Sequence, residues 1–295
     1  MRLLYYSLLL PLSLLPSWIL YGLSNFMYLV LYIFVGYRRK VVRANIENSF
    51  PEFSIEKQRH VERQFYSHFC DLVVESIKAF SISKPELDKR FKHRNKEIFL
   101  KYFDSEQQVT LVGGHSGNWE LFAVSIATHI PHQPMAIYTP LTNAFMNQKM
   151  LKSRSKYGLW MNSYDEVKKI ISNKTSEKPM AVIFGADQSP TIKQQPYWTE
   201  FLNQETGVQF GAEKFAVANN TPVIYGFIHR LGRGHYEVEY RLLTETPGEL
   251  PHGRITEMHT RMLEADIRKN PSNWLWTHKR WKRKKTDYTV ANESN

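Results

Sequence analysis

The chain carries one cysteine in 295 residues. No internal disulfide is possible, and Cys70 suits a reducing compartment. It lies in an amphipathic helical run and reads as core, not as a catalytic thiol. Acid is scarce too: 28 Asp and Glu face 39 Lys and Arg, a net charge of +11. That balance favours an anionic partner, whether nucleic acid, an anionic membrane surface, a phosphorylated glycolipid or an acidic carrier protein. Internal repeats and low-complexity tracts are absent. Metal-ligand spacing is missing as well: His129 and His132 flank Pro131, which breaks any shared helix, and no acid accompanies them. Gly232-Arg233-Gly234 falls in a hairpin-like turn and not before a helix, so it is no phosphate loop. Neither a metal nor a cofactor is expected.

From Leu3 to Tyr37 there is no charged side chain. The run exceeds the roughly 20 residues that cross a bilayer, and no small-residue cleavage site marks it as a removable signal. Pro11 and Pro16 interrupt it. Two readings stay open: a tilted, kinked span, or a short interfacial helix followed by a span. Arg38, Arg39, Lys40 and Arg43 follow at once, against Arg2 alone before it. This bias places the next domain in the cytoplasm, and a mean hydropathy of −0.43 agrees with a water-soluble remainder. The expected organisation is a membrane anchor at 1–37, a cytoplasmic domain at 38–285 and a flexible tail at 286–295.

Beyond a turn at 48–52, Ser54 to Phe80 reads as one long helix, with Val61, Phe65, Phe69, Leu72, Val73 and Ile77 near helical spacing. Strands are expected at 108–112, 134–138, 180–184, 222–228 and 236–242. Helices are expected at 118–129, 143–157, 165–173, 210–219 and 254–269. Alternation of this kind predicts an α/β fold, a mixed and largely parallel sheet flanked by helices, with an N-terminal membrane-anchoring helix.

Residues 113–120 read Gly-Gly-His-Ser-Gly-Asn-Trp-Glu, on a strand–turn–helix corner where α/β proteins place ligand-binding groups. His115 and Glu120 are five apart. On one helix they would point about 140° away from each other, so they can meet only if His115 lies in the turn and Glu120 in the first helical turn. Gly113, Gly114 and Gly117 give the backbone that freedom. Such a pair suits general base catalysis, with an imidazole taking a proton and a carboxylate holding its tautomer. A plainer reading is also open: the acid belongs to a helix cap and the histidine is a surface residue.

The octapeptide resembles the His-x4-Glu signature of the bacterial lipid A biosynthesis acyltransferases, within the lysophospholipid acyltransferase superfamily. Further stretches resemble that family in order: Tyr138-Thr139-Pro140-Leu141-Thr142-Asn143 with Arg154 and Gly158, Ala186-Asp187-Gln188, the segment 207–224, and Trp274-Leu275-Trp276-Thr277-His278-Lys279-Arg280-Trp281-Lys282. Thr139 and Lys279 stand where arginine is usual, and Ser116 where an aromatic or aliphatic residue is usual. Ser116 reads as a turn or cap residue.

The resemblance implies a membrane-anchored O-acyltransferase at the bacterial inner membrane, its domain facing the cytoplasm. The donor would be a fatty acyl thioester on acyl carrier protein or coenzyme A, and the acceptor a hydroxyl of a lipid A precursor, an anionic glycolipid. His115 would be the base and Glu120 its orienting partner. Backbone N–H groups after Gly117 could hold the oxyanion. Arg154 could grip an acceptor phosphate in two places. Asn118 and Asp187 would support the site, with Asn143 and His278 on the substrate side. Trp281, Lys282, Arg283, Lys284 and Lys285, with Trp274 and Trp276 nearby, suit a membrane and acceptor surface, and given the anchor this displaces nucleic-acid binding. Rival readings are an acyltransferase for a lysophospholipid, an aminolipid or a glycosylated phosphatidylinositol, and a non-catalytic lipid-binding membrane protein.

Overall fold

The structure is a computed structural model. It describes residues 1–173, 175–192 and 194–288, and of Tyr164 the backbone alone. Strands β1 (Phe91–Arg94), β2 (Val109–Gly113), β3 (Gln133–Ile137), β4 (Trp160–Asn162), β5 (Met180–Gly185), β8 (Val223–Gly232) and β9 (His235–Thr244) form one sheet in the order β1-β9-β8-β2-β5-β3-β4. Only β8 and β9 pair antiparallel; every other neighbouring pair is parallel. β2 sits at the centre with Val109, Leu111 and Val112 buried, as a strand covered on both faces requires. The expected mixed, largely parallel α/β sheet is the observed one.

Helices α1 (Arg2–Leu14) and α2 (Ser17–Phe34) precede α3 (Arg39–Ser49), α4 (Ile55–Lys78), α5 (Lys84–Arg90) and α6 (Ile98–Asp104). Then follow α7 (Trp119–Ser125), α8 (Ala144–Arg154), α9 (Tyr164–Ser172), α10 (Gly211–Asn219) and α11 (Arg254–Lys269). Pro16 separates α1 from α2: Leu15 is extended there, so the chain breaks instead of kinking. By length and composition, α2 is the one helix among the described residues able to cross a membrane. The long helix starts where Ser54 accepts a hydrogen bond from the Lys57 N–H. Its inward face holds Glu62, His68, Asp71 and Glu75 besides Val61, Phe65 and Leu72, so the apolar spacing captures only three of its ten buried residues.

One core cluster gathers Phe65, Tyr66, Phe215, Ile267, Trp274 and Trp276. The other includes Phe91, Phe99, Leu121 and Tyr240. Trp274 is 2% exposed and Trp276 0%, which corrects their reading as interfacial aromatics: both are core. Trp281 is half-buried and donates from Nε1 to Thr206 Oγ1 at 2.7 Å. A hairpin of β6 (Tyr197–Phe201) and β7 (Gln204–Val208) stands apart from the main sheet. From 289 onward the expected tail lies outside the described residues; Tyr288 is buried and donates to the Pro190 carbonyl.

Candidate active site

The site follows from strand register. β2 and β5 are parallel neighbours, with Gly113 opposite Gly185. The ladder continues one residue further, from the Ala186 N–H to the Gly113 carbonyl at 2.9 Å. Two residues past each glycine stand His115 and Asp187, and the loops therefore bring them side by side at the carboxyl ends of the strands. His115 Nδ1 is 2.6 Å from Asp187 Oδ1. The His115 backbone N–H donates to Asp187 Oδ2 at 2.7 Å, and Trp274 Nε1–H donates to the same oxygen at 2.8 Å. Three donors thus fix one carboxylate, buried at 4% exposure.

Burial alone would lift the Asp187 pKa, but His115 and the hydrogen bonds outweigh it and hold the carboxyl well below its usual range. For His115, burial pulls down and the Asp187 carboxylate pulls up; the result is a pKa raised above the ordinary value. The His115 side chain keeps 25% of its surface, so the ring remains reachable. Its Nε2 faces Gln188 Nε2 at 3.3 Å.

His115 lies in the turn and Glu120 in the first turn of α7, yet the Glu120 carboxylate is bonded to Arg154. Nε to Oε2 is 2.8 Å and Nη2 to Oε1 is 2.6 Å, a two-point pair. Glu120 acts on His115 only through space, adding to its raised pKa. The helix cap is Asn118, whose Oδ1 accepts from the Leu121 N–H at 2.9 Å. Its Nδ2 donates to Glu75 Oε2 at 2.7 Å, so the base of the loop is tied to α4. Of the first helical donors, those of Leu121 and Phe122 are occupied by Asn118. Gly117 has φ +57, and a Cβ there would meet Ile228 Cγ2 at 2.5 Å; no other residue fits. Ser116 is buried and pairs through its backbone with Trp274.

His278 Nε2 accepts from the Ser189 N–H at 3.0 Å, and burial pushes its pKa down to about 4. It borders the Asp187 loop, close enough for the Asp187 charge to act on it. Asn143 caps α8 by accepting from the Met146 N–H at 3.0 Å and is exposed. Arg280, unremarked as a site residue, donates to the Gly207 carbonyl at 2.9 Å while buried. Lys282, Lys284 and Lys285 are exposed and Arg283 half-buried. The Trp119 ring meets the His115 ring edge-on with centroids 5.4 Å apart, and Gln188 lies at Nε2, while Trp274 holds Asp187. Trp274 was legible as part of an aromatic cluster and of the closing stretch that resembles the family, but nothing in its spacing tied it to Asp187.

A reachable histidine locked to a buried carboxylate, at the carboxyl edge of a parallel sheet, has the geometry that general base chemistry requires. The family model for bacterial lipid A biosynthesis acyltransferase matches residues 1–283, and the chain belongs to that family. No curated protein gives a significant match. The family is one of acyltransferases of lipid A biosynthesis, with a lipid acceptor and an acyl donor.

Proposed function

We propose that the protein transfers a fatty acyl chain from an acyl thioester, carried by acyl carrier protein or coenzyme A, to a hydroxyl of a lipid A precursor, with His115 as general base. The 2.6 Å contact of His115 Nδ1 with Asp187 Oδ1 carries this reading. An ionised Asp187 is acceptor only, so the proton of the pair sits on Nδ1 and Nε2 keeps its lone pair. Asp187 therefore takes the orienting role, in place of Glu120.

Gln188 gives way to the acceptor hydroxyl at Nε2. As the hydroxyl oxygen attacks the thioester carbonyl, its proton passes to Nε2 and Asp187 stabilises the imidazolium. The tetrahedral intermediate then expels the thiolate, which recovers that proton as a thiol, leaving an ester. A thioester is already activated, so a direct transfer without an enzyme nucleophile suffices.

The Glu120–Arg154 pair is the acceptor-binding element in this reading: the Arg154 fork exchanges the Glu120 carboxylate for an acceptor phosphate of like geometry. Asn118 holds the loop, Asn143 and His278 shape the substrate side, and residues 281–285 meet the anionic lipid surface. Acyl carrier protein and coenzyme A are cytoplasmic donors, and the cations Arg38, Arg39, Lys40 and Arg43 beside the apolar segment favour the anionic cytoplasmic face of the inner membrane. The test is transfer by purified protein from acyl carrier protein or coenzyme A to a lipid A precursor, read by product mass. His115→Ala should abolish it while the fold persists; near-parental turnover by that variant would remove the mechanism.

A further inference from the structure

We propose that the apolar N-terminal segment lies in one leaflet of the bilayer without crossing it, so that the chain enters and leaves the membrane on the same side. Length does not decide this. The 18 residues of α2 rise about 27 Å, close to the hydrocarbon thickness of about 30 Å. What decides it is how α2 is docked.

Polar groups run along one side of α2 at helical spacing, and each is engaged by the globular domain. Ser17 Oγ donates to Glu86 Oε1 at 3.3 Å. Tyr21 OH donates to Glu75 Oε1 at 2.9 Å and accepts from Arg90 at 3.1 Å. Ser24 Oγ donates to Asp71 Oδ1 at 2.7 Å, and Asn25 Oδ1 accepts from Arg233 at 2.8 Å. Further along, Tyr32 packs on Tyr66 with ring centroids 5.0 Å apart. Positions 17, 21, 24, 25 and 32 form one stripe from the first turn to the last. A helix whose residues 17–25 are seated on Asp71, Glu75, Arg90 and Arg233, and whose Tyr32 packs on Tyr66, cannot also be ringed by hydrocarbon. To cross, it would have to leave these ions without its partners or carry them inward, where each charge near the bilayer centre costs about 2.5–3.5 kcal/mol.

The opposite side is bare. Trp18 is 75% exposed, Phe26 62%, Ile33 54% and Phe34 81%, and α1 extends the surface with Leu3 at 80% and Leu14 at 67%. Residues 1–37 hold 13 of the 21 large exposed hydrophobics among the described residues. Cations rim the patch. Arg2 lies over the Phe145 ring, Lys149 donates to Tyr6 OH at 3.1 Å, and Arg38 and Lys40 close the far end. An apolar strip edged by cations matches the acyl boundary and phosphates of a single anionic leaflet, where such helices bury about 5–10 Å deep. A second copy of the chain would bring the same cations together and repel.

The test does not read acyl transfer, so it stands apart from the proposed chemistry. Arg2→Cys, Leu15→Cys and Lys40→Cys are made singly in the full chain, Cys70 being buried. Sealed right-side-out and inverted vesicles then receive a membrane-impermeant thiol reagent. All three positions should react from one side only. Reaction of position 2 or 15 from the side opposite position 40 would overturn the proposal, by a single span or by a hairpin respectively. Depth is read separately with a fluorophore on Trp18→Cys, Phe26→Cys and Ile33→Cys in phosphatidylglycerol–phosphatidylethanolamine vesicles containing brominated lipid. Equal, shallow quenching at all three supports the in-plane mode. Phe26→Cys quenched as if at the bilayer centre refutes it, as does a protein that ignores vesicles and forms a dimer with these positions shielded.

Discussion

His115 and Asp187 stand 72 residues apart in sequence and 2.6 Å apart in space, each two residues beyond paired glycines of adjacent strands. Asp187→Asn keeps the shape and removes the charge. Turnover should fall within the range of about 10²–10⁴ that general base catalysis supplies. Because the two residues act as one unit, the double variant Asp187→Asn/His115→Ala should be little worse than His115→Ala alone. Steady-state kinetics of the four proteins is the check; additive losses would mean separate roles.

The same contact sets a pH dependence. As the proposed base, His115 would work as neutral imidazole, and the carboxylate raises its pKa above the ordinary 6.5. Turnover should therefore climb with pH through a midpoint above that value. In Asp187→Asn the burial effect remains and the opposing charge is gone, so the residual activity should reach its plateau at lower pH. Glu120→Gln should move the midpoint the same way by less, since Glu120 is the smaller contributor. A profile unmoved in Asp187→Asn would mean that His115 is not the titrating group.

Much of the fold was readable because periodicity reports burial. The strand expected at 180–184 is Met180–Gly185, and the helix expected at 254–269 is Arg254–Lys269. The β6–β7 hairpin was not readable. Its turn, Leu202-Asn203, has φ of +50 and +61, a geometry that usually announces itself with Asn-Gly or Asp-Gly. Here Leu202 takes the left-handed conformation with its side chain fully buried, so packing overrides the local preference. In the site, the octapeptide flagged His115 correctly as a turn residue, but proximity in sequence suggested Glu120 as the ring's partner. The partner comes from a neighbouring strand, and only register reveals it. Cap geometry misled for a related reason: Asn118, not Ser116, caps α7, and Glu120 faces Arg154 instead of the cap.

In the proposed function the Glu120–Arg154 pair serves acceptor binding and not the chemical step. Arg154→Lys keeps a charge but cannot make two parallel bonds to a carboxylate or phosphate. The Michaelis constant for the acceptor should rise about tenfold, equivalent to about 1.4 kcal/mol, with turnover at saturating acceptor much less affected. A loss confined to turnover would place Arg154 with the reacting groups instead.

Glu75 joins three elements beneath the site. Its carboxylate accepts from Tyr21 OH at 2.9 Å, Asn118 Nδ2 at 2.7 Å and Tyr236 OH at 2.7 Å. Glu75→Ala strands buried donors, at about 1–3 kcal/mol for each left unsatisfied. The variant should melt several degrees lower, and the freed Asn118 should loosen the His115 loop. Glu75→Gln retains a carbonyl acceptor and should recover part of both losses. Melting curves with turnover measured below the transition test this; equal behaviour of the two variants would show that the acceptor oxygens are not what matters.

The closing segment divides by burial. Trp274 and Trp276 are core and Trp274 holds Asp187, so Trp274→Phe, which loses the 2.8 Å donor, should lower turnover. Lys282, Lys284 and Lys285 are exposed and Arg283 is half-buried. Each cation near an anionic leaflet is worth about 1 kcal/mol and is screened by salt within roughly 8–10 Å. Replacing Lys282, Arg283, Lys284 and Lys285 with neutral residues should weaken binding to anionic vesicles and raise the apparent Michaelis constant for the lipid acceptor. Turnover at saturating acceptor should hold, and the gap from the parent protein should close as salt rises. The measurement is vesicle binding and acceptor kinetics at low and high salt. Normal vesicle binding with lost turnover would move these residues into the active site, and an effect insensitive to salt would mean that packing, not charge, had been disturbed.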